Sequence, residues 1–531
     1  MKWSISTDQG DVPANAPQSA AGESPLSCVL KVPFEADRID KRLALWTFVL
    51  GFFFVRWVFD SWQGWGVALF AIVYGLTVAL YLTKKGVAIP RSGLLWLAAV
   101  GSAGLSYALY DNNGLEPWRS LFLFCAAVYF VMSAAGRLIL NKTSNWILLD
   151  GVNGLFVIPF RNLGSQYKTL FSTIKIKGDF GKRVSSIALG LLLGLMVIGM
   201  VLPLLMRADS GGFYKITHGI YEYYSWLQQH FEELVLDYLL AIPVAAYLFG
   251  LMAGCANDRA CKTFKEERVS DVLGSVRRLM PATLYTALGL ACGLYLLFIG
   301  SQLPYFFSAF IGQRPEGWQV YSEYARNGFF ELCQIAAINL SLLVLANLFS
   351  RKPRREDLVL RILNGLLSSL TLLLIMTAFS KMAMYIGAYG LSMRRLLPCL
   401  FMVFLSVVCI GVIALQKWQF SMVRLSALTG TVMLCALCLL NPDSLVADYN
   451  ADRYLSGTLV KFDVEILYRS GSAGVDSAIK VYGQTEDDAL KEELFAYIKD
   501  QQETCASTSG TTRDSLQKVL ARQKIGTFLD Q

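Results

Sequence analysis

Runs of about twenty apolar residues, the length a helix needs to cross a bilayer core, constrain this chain more than any other feature in it. The strongest, VSSIALGLLLGLMVIGMVLPLLM at 184–206, holds no charged residue. About eleven such runs follow one another, near 43–59, 63–82, 93–110, 118–137, 184–206, 234–254, 281–303, 328–350, 359–380, 396–416 and 422–440. Only 17% of the residues are charged and 54% are hydrophobic, whereas a soluble protein carries about a quarter charged residues. In lipid each backbone polar group must find a partner within the protein, and a helix supplies one for nearly all of them. The fold class predicted is therefore all-α: a polytopic transmembrane helical bundle of about 11 spans over 43–440, followed by a small helical C-terminal extramembrane domain over 441–531.

Two stretches outside these runs differ from them. Residues 1–42 are polar and rich in Pro, Ser, Ala and Gly, as in PANAPQSAAGESP, and read as a disordered cytoplasmic tail; the first apolar run comes too late for a cleavable signal peptide. WILLDGVNGLFVIPF at 146–160 is too short to cross, carries Asp150 and a proline, and is followed by Arg161, Lys168, Lys175 and Lys177. It reads as an interfacial or re-entrant helix.

Basic residues mark the cytoplasmic side of a membrane protein. The loops at 83–92, 138–183, 255–280 and 351–358 hold 20 Lys and Arg, the alternate loops only 6. The N-terminus is thus expected inside and, with an odd number of spans, residues 441–531 outside. That tail carries 10 basic and 15 acidic residues in a chain whose net charge is +8. Within it TEDDALKEELFAYIKD places Leu490, Leu494 and Ile498 four apart on one helical face, with Thr485 and Asp488 as a capping arrangement, and TTRDSLQKVLARQK reads as a second helix.

Charged and polar residues inside the runs are costly, and they gather at one level. In YSEYARNGFFEL, Glu323 and Arg326 are helical neighbours before the eighth span, and Glu331 falls in the first turn of that span, followed by Gln334 and Asn339. Arg56 lies near the outer end of the first span, four residues before Asp60, and Asp237 opens the sixth. Gln302 and Tyr305 close the seventh, Lys381, Tyr385 and Tyr389 repeat every four residues at the end of the ninth, and Arg394 and Arg395 run against the charge bias of their own loop. Together these residues are expected to line an outward-facing polar vestibule roofed by the C-terminal domain. The alternatives are ion pairs that lock helices, side chains snorkelling to headgroups, and, for the tyrosines, an aromatic belt.

The segments SQLPYFFSAF, YSEYARNGFFELCQIAAINL, MAMYIGAYGLSMRRL and NPDSLVADYNADRYLSG, in that order, resemble a bacterial polytopic membrane family known only as a domain of unknown function, the 4173 type. The likeness covers roughly residues 280–485. It implies a multi-pass protein of the bacterial cytoplasmic membrane with a helical C-terminal piece, and it implies no activity.

Enzymatic motifs are missing from the sequence. His218 and His230 are its only histidines, twelve apart and without a Cys or carboxylate cluster at metal spacing; HExxH, GxSxG and GxxxxGK[ST] do not occur. Cys435 and Cys438 share one face of a helix and read as packing residues, and Cys505 stands alone in the tail, so no disulfide framework is expected there. CANDRACKTFKEERVSDVLGSVRRLM mixes six basic with four acidic residues, which suits anionic headgroups and lacks the concentrated basic face that nucleic acid requires. Neither a cofactor nor a metal is expected, and no nucleic-acid partner; the partners are the lipid bilayer and an envelope ligand or partner protein at the outer face.

Three functions fit. The first is a non-enzymatic receptor or assembly protein that binds in the vestibule. A secondary transporter needs broken helices and a polar path to the midplane, and no internal repeat points to one. A membrane-embedded transferase on a lipid-linked or anionic envelope substrate could draw on Glu331, Asp237 or the histidines as base and on Arg326, Lys381, Arg394 and Arg395 for the anion.

Overall fold

The computed structural model describes residues 36–173 and 236–530, apart from short stretches at 60–61, 112, 141, 260, 262–273, 276, 278, 311–320 and 352–355; it leaves out the side chains of 171–173, 302–310 and 321–327. Among the described residues there are helices and turns but no β-strand, only an isolated bridge between Leu279 and Ser350.

Ten helices are long and apolar enough to cross a membrane, the pattern of a multi-pass membrane protein. They are α1 (Arg38–Phe53, continued as a π-helix over Phe54–Phe59), α2 (Gly64–Lys84), α3 (Arg91–Leu109), α4 (Glu116–Ala134), α8 (Leu236–Ala256), α9 (Pro281–Phe310), α10 (Tyr321–Phe349), α11 (Leu358–Tyr389), α12 (Met393–Leu415) and α13 (Met422–Leu439). Each matches one of the expected runs; the run at 184–206 lies outside the described residues, as do residues 1–35, Asp60, His218 and His230. Local signals set several boundaries. Asp37 and Asp40 form a reciprocal capping box at the start of α1, Asp357 accepts the Leu360 N–H at the start of α11, and Gly390, at φ +77°, ends α11.

The helices form two bundles. In the first, α1–α4 and α8 meet through small residues that let backbones approach: Gly51 faces Ala241 and Ala245, and Gly104 faces Ala71. The second, α9–α12, is tied by polar contacts as well, Asn339 Nδ2 to Thr371 Oγ1 at 3.0 Å and Asn364 Nδ2 to Asn347 Oδ1 at 3.1 Å. Asn339 thus faces protein, whereas Gln334 is exposed. Helix α13 packs on both α12 and α3 and so joins the bundles. Leu290, Leu294 and Leu297, spaced at one helical turn along α9, are 77, 64 and 75% exposed, an apolar face suited to lipid.

The segment 146–160 is helical with a π-helical turn in its middle. Helix α5 (Ile147–Val152) passes through a π-helical turn (Asn153–Val157) into α6 (Ile158–Asn162), and α7 (Ser165–Thr173) follows. Leu148, Val152, Phe156 and Phe160 are exposed at intervals of four, while Asp150 and Asn153 are buried.

After α13 come α14 (Pro442–Leu455), α15 (Val464–Ser470), α16 (Val475–Tyr482), α17 (Asp488–Ser507) and α18 (Leu516–Leu529). They bury a core of their own that includes Leu467, Val475, Val481, Leu494, Tyr497, Ile498 and Ile525. The cap of α17 differs from the expected one: Asp487 accepts the Ala489 and Leu490 N–H groups, and Thr485 accepts the Asp487 N–H instead. Asp487 is one residue closer to the helix, where its short side chain reaches both free amides.

Candidate functional site

The five C-terminal helices sit on one end of the bundles, called the domain end below. Several contacts hold them there, made where spans end. At α2 the N-cap residue Gln63 makes no side-chain cap, and carbonyls of the 511–514 loop take its place: Trp65 N–H donates to Asp514 O at 2.9 Å and Gly66 N–H to Thr512 O at 3.0 Å. Gly64, at φ +75°, allows this approach, since a Cβ there would lie 2.3 Å from the Arg513 backbone.

The second contact is a buried polar knot after α3. Asp111 and Lys518 form an ion pair at 3.3 Å, with both residues at most 7% exposed. Asp111 Oδ2 also accepts from Ser472 Oγ at 2.8 Å, and its N–H donates to Gln517 Oε1 at 3.0 Å. Beneath it Arg119, 1% exposed, donates to Tyr110 O at 3.1 Å and Asp111 O at 2.7 Å and lies over the Tyr107 ring at 3.7 Å. Arg119 thereby serves as a cap for the C-terminal carbonyls of α3.

At the α11–α12 turn, Asn450 reads the backbone of Leu391 on both sides, accepting its N–H at 2.8 Å and donating to its carbonyl at 2.7 Å. Arg453 Nη1 donates to Ile386 O at 3.1 Å. These contacts were invisible in the sequence, because polar residues in a tail do not announce which backbone they meet.

Between these contacts lies a cleft of about 990 Å³. Its membrane wall is Phe330 of α10, Met382 and Tyr385 of α11, and Ser392 to Pro398 at the start of α12; its other wall is Asp443, Asp463, Glu465, Ile466 and Arg469. Arg395 is held in place, its guanidinium 4.4 Å from the Tyr385 ring centroid and donating to Tyr389 O at 2.8 Å. Arg394 is exposed in the same wall. Opposite, Asp463 accepts the Glu465 N–H as N-cap of α15, and Glu465 pairs with Arg469. The cleft thus has apolar groups along its membrane wall with Arg394 and Arg395 among them, and carboxylates together with Arg469 on the domain side. Such a lining suits an amphiphilic or charged ligand.

Of the residues singled out in the sequence, Tyr385, Arg394 and Arg395 line this cleft. Arg56 and Asp237 do not; they pair with each other across α1 and α8 at 3.4 Å, which is the helix-locking alternative. Lys381 packs against Gly328 and lies within electrostatic range of Glu331. Glu331 falls in the first turn of the apolar span Gly328–Phe349, as expected, and in the third turn of α10 as a whole, because that helix starts seven residues, about two turns, before the span. Gln302, Tyr305, Glu323 and Arg326 lie on α9 and α10, with side chains outside the described residues.

Asp443, 1% exposed, accepts the Gly114 N–H at 3.0 Å, and burial pushes its carboxyl up to about 6. Its docked state therefore favours the protonated form. This contribution is fully present below the ordinary aspartate value of about 4 and is lost as pH rises through about 6. The thermal midpoint of the purified protein is expected to fall between those limits, and Asp443→Asn should flatten that step. An unchanged step in the variant would assign it to another group.

A model of a domain of unknown function, DUF4153, matches residues 97–481, which is most of the chain. The number differs from the 4173 type of the sequence resemblance, and the match begins near the start of α3, well before the 280–485 segments that carried the likeness. No curated protein and no solved structure matches the chain.

Proposed function

The chain belongs to the DUF4153 family, and since that description carries no activity we propose from the cleft itself that this is a bacterial inner-membrane protein that binds a ligand or partner of the cell envelope without turning it over. The supporting observation is the cleft of about 990 Å³ between the span ends and the C-terminal helices, with Arg394 and Arg395 across from Asp463 and Glu465. Orientation follows the charge bias. Lys85, Arg137, Lys142, Arg259 and Arg351 are all at or near the far end, as the contacts of Lys85 with Asp40 and of Arg137 with Cys255 O indicate. In this reading the C-terminal domain and the cleft face outward. A second reading, secondary transport, draws on the short α5–α6 segment, whose helix carries a π-helical turn beside buried Asp150 and Asn153.

Two measurements test the proposal. In a background without native cysteines, Val460→Cys, at a position 98% exposed, should react with an impermeant thiol reagent in intact cells. A photo-crosslinking amino acid at 397 or 466, inside the cleft, should yield a discrete adduct that Arg394→Glu reduces about tenfold, the loss expected for one charge-assisted contact of about 1.5 kcal/mol or more. Equal adducts from the lipid-facing position 297 would defeat the binding reading.

A further inference from the structure

At the far end of the first bundle, away from the cleft, two helical surfaces meet over polar groups that do not satisfy one another. Helix α4 presents Tyr129 and Ser133, four apart and so on one face; the α5 segment presents Asp150 and Asn153, three apart. These surfaces are in close contact. A Cβ on Gly154 would lie 2.3 Å from Met132 Sδ and 3.1 Å from Val128 Cγ1. Tyr129 lies within electrostatic reach of Asp150.

All four residues are buried, at 5, 1, 0 and 1% exposure in the order Tyr129, Ser133, Asp150, Asn153. Two of their six polar side-chain atoms are engaged at hydrogen-bond distance. Asp150 Oδ1 accepts the Ile139 N–H at 2.9 Å, and Asn153 Nδ2 donates to Cys261 O at 3.0 Å. What is left over is oxygen: Asp150 Oδ2, Asn153 Oδ1 and the Ser133 hydroxyl have no hydrogen-bond partner among the described residues, and the Tyr129 hydroxyl has only Thr143 within looser reach. Asp150 forms no ion pair there either; the nearby Arg137 is taken by Asp258 at 3.3 Å and by Cys255 O at 2.9 Å.

A buried carboxylate met by a single N–H is among the most expensive arrangements a protein can hold, and it calls for a positive charge. The rest of the set narrows which one. Amide and hydroxyl oxygens are ligands for a hard cation. A single carboxylate balances a single charge, whereas calcium sites gather several carboxylates and magnesium keeps most of its own water. Asn153 opens the π-helical turn, and such turns recur at functional sites.

We propose that Asp150, Asn153, Ser133 and Tyr129 form a binding site for a monovalent alkali cation of sodium size, buried between α4 and the α5 segment. This site lies apart from the cleft and stands whether the protein binds or transports there.

The test is thermal unfolding of the full-length protein in detergent, followed by tryptophan fluorescence, in sodium, potassium and choline chloride at one pH and ionic strength. Sodium should raise the midpoint saturably, as a ligand bound only by the folded state does, and choline should not. Asp150→Asn should abolish the sodium dependence; Ser133→Ala should keep it but move half-saturation upward by about tenfold. If Asp150→Asn cannot be purified, the Ser133→Ala shift decides alone. Equal midpoints in all three salts would overturn the proposal, as would a sodium response that survives Asp150→Asn or a half-saturation unmoved by Ser133→Ala. Acidification that reproduces the full stabilisation while sodium adds nothing would show that Asp150 holds a proton instead, and would overturn it equally.

Discussion

Asn450→Ala is expected to release the C-terminal helices from the α11–α12 turn and to destroy the cleft, at a cost of about 2–4 kcal/mol. The figure rests on what is left behind. Leu391 loses the partner of its N–H and of its carbonyl together, and an unsatisfied backbone group costs about 1–3 kcal/mol when water cannot replace the partner. Gly390→Ala should reach the same state from the other side. Gly390 has φ +77° and ψ −179°, a region that side chains avoid, and a Cβ there would lie 2.2 Å from Asn450 Oδ1. Because both changes break one contact, their effects should not add. Spin labels on Val460 and Phe59, both exposed, provide the readout: a single narrow distance in the parent should broaden in either variant. Narrow distributions in both would mean that the other docking contacts suffice.

The same turn shows how far the sequence could be read. Periodicity and length located ten of the spans and the apolar face of α17, because lipid and core select on one simple property repeated over many residues. The costly residues Arg394, Arg395 and Tyr385 were legible because charge near a membrane is rare enough to stand out. Their counterparts across the cleft, Asp463, Glu465 and Arg469, were not, since acidic and basic residues are ordinary in a polar tail. Arg56 and Asp237 were each visible, yet their pairing joins positions 181 apart in the chain, and helical spacing predicts only neighbours. Asp60, the neighbour that spacing offered, lies outside the described residues. The π-helical turn at Asn153–Val157 has no signature beyond a short apolar run with a charge in it, so the segment was recognised as too short to span while its π-turn was not.

The largest effect expected of any single side chain at the interface belongs to Lys518. Lys518→Met leaves the Asp111 carboxylate buried without its cation, with Ser472 Oγ as its remaining side-chain partner, and breaking a buried pair in this way costs about 3–5 kcal/mol. Replacing both members should cost far less than replacing one, because much of the penalty is the stranded charge and not the lost attraction. Asp111→Asn with Lys518→Met is therefore expected to recover at least half of the stability lost in Lys518→Met, a coupling of about 2 kcal/mol between two residues from distant parts of the chain. Cys505 supplies a local reporter. It is fully buried in α17, its carbonyl accepts from Arg522 at 2.7 Å, and it is the one cysteine in 441–531. With the other cysteines removed, its rate of thiol labelling should rise steeply in Lys518→Met and fall back towards the parent in the double variant. A double variant that labels as fast as Lys518→Met alone would show that the ion pair itself, and not the cost of an unpaired carboxylate, anchors the C-terminal domain to the spans.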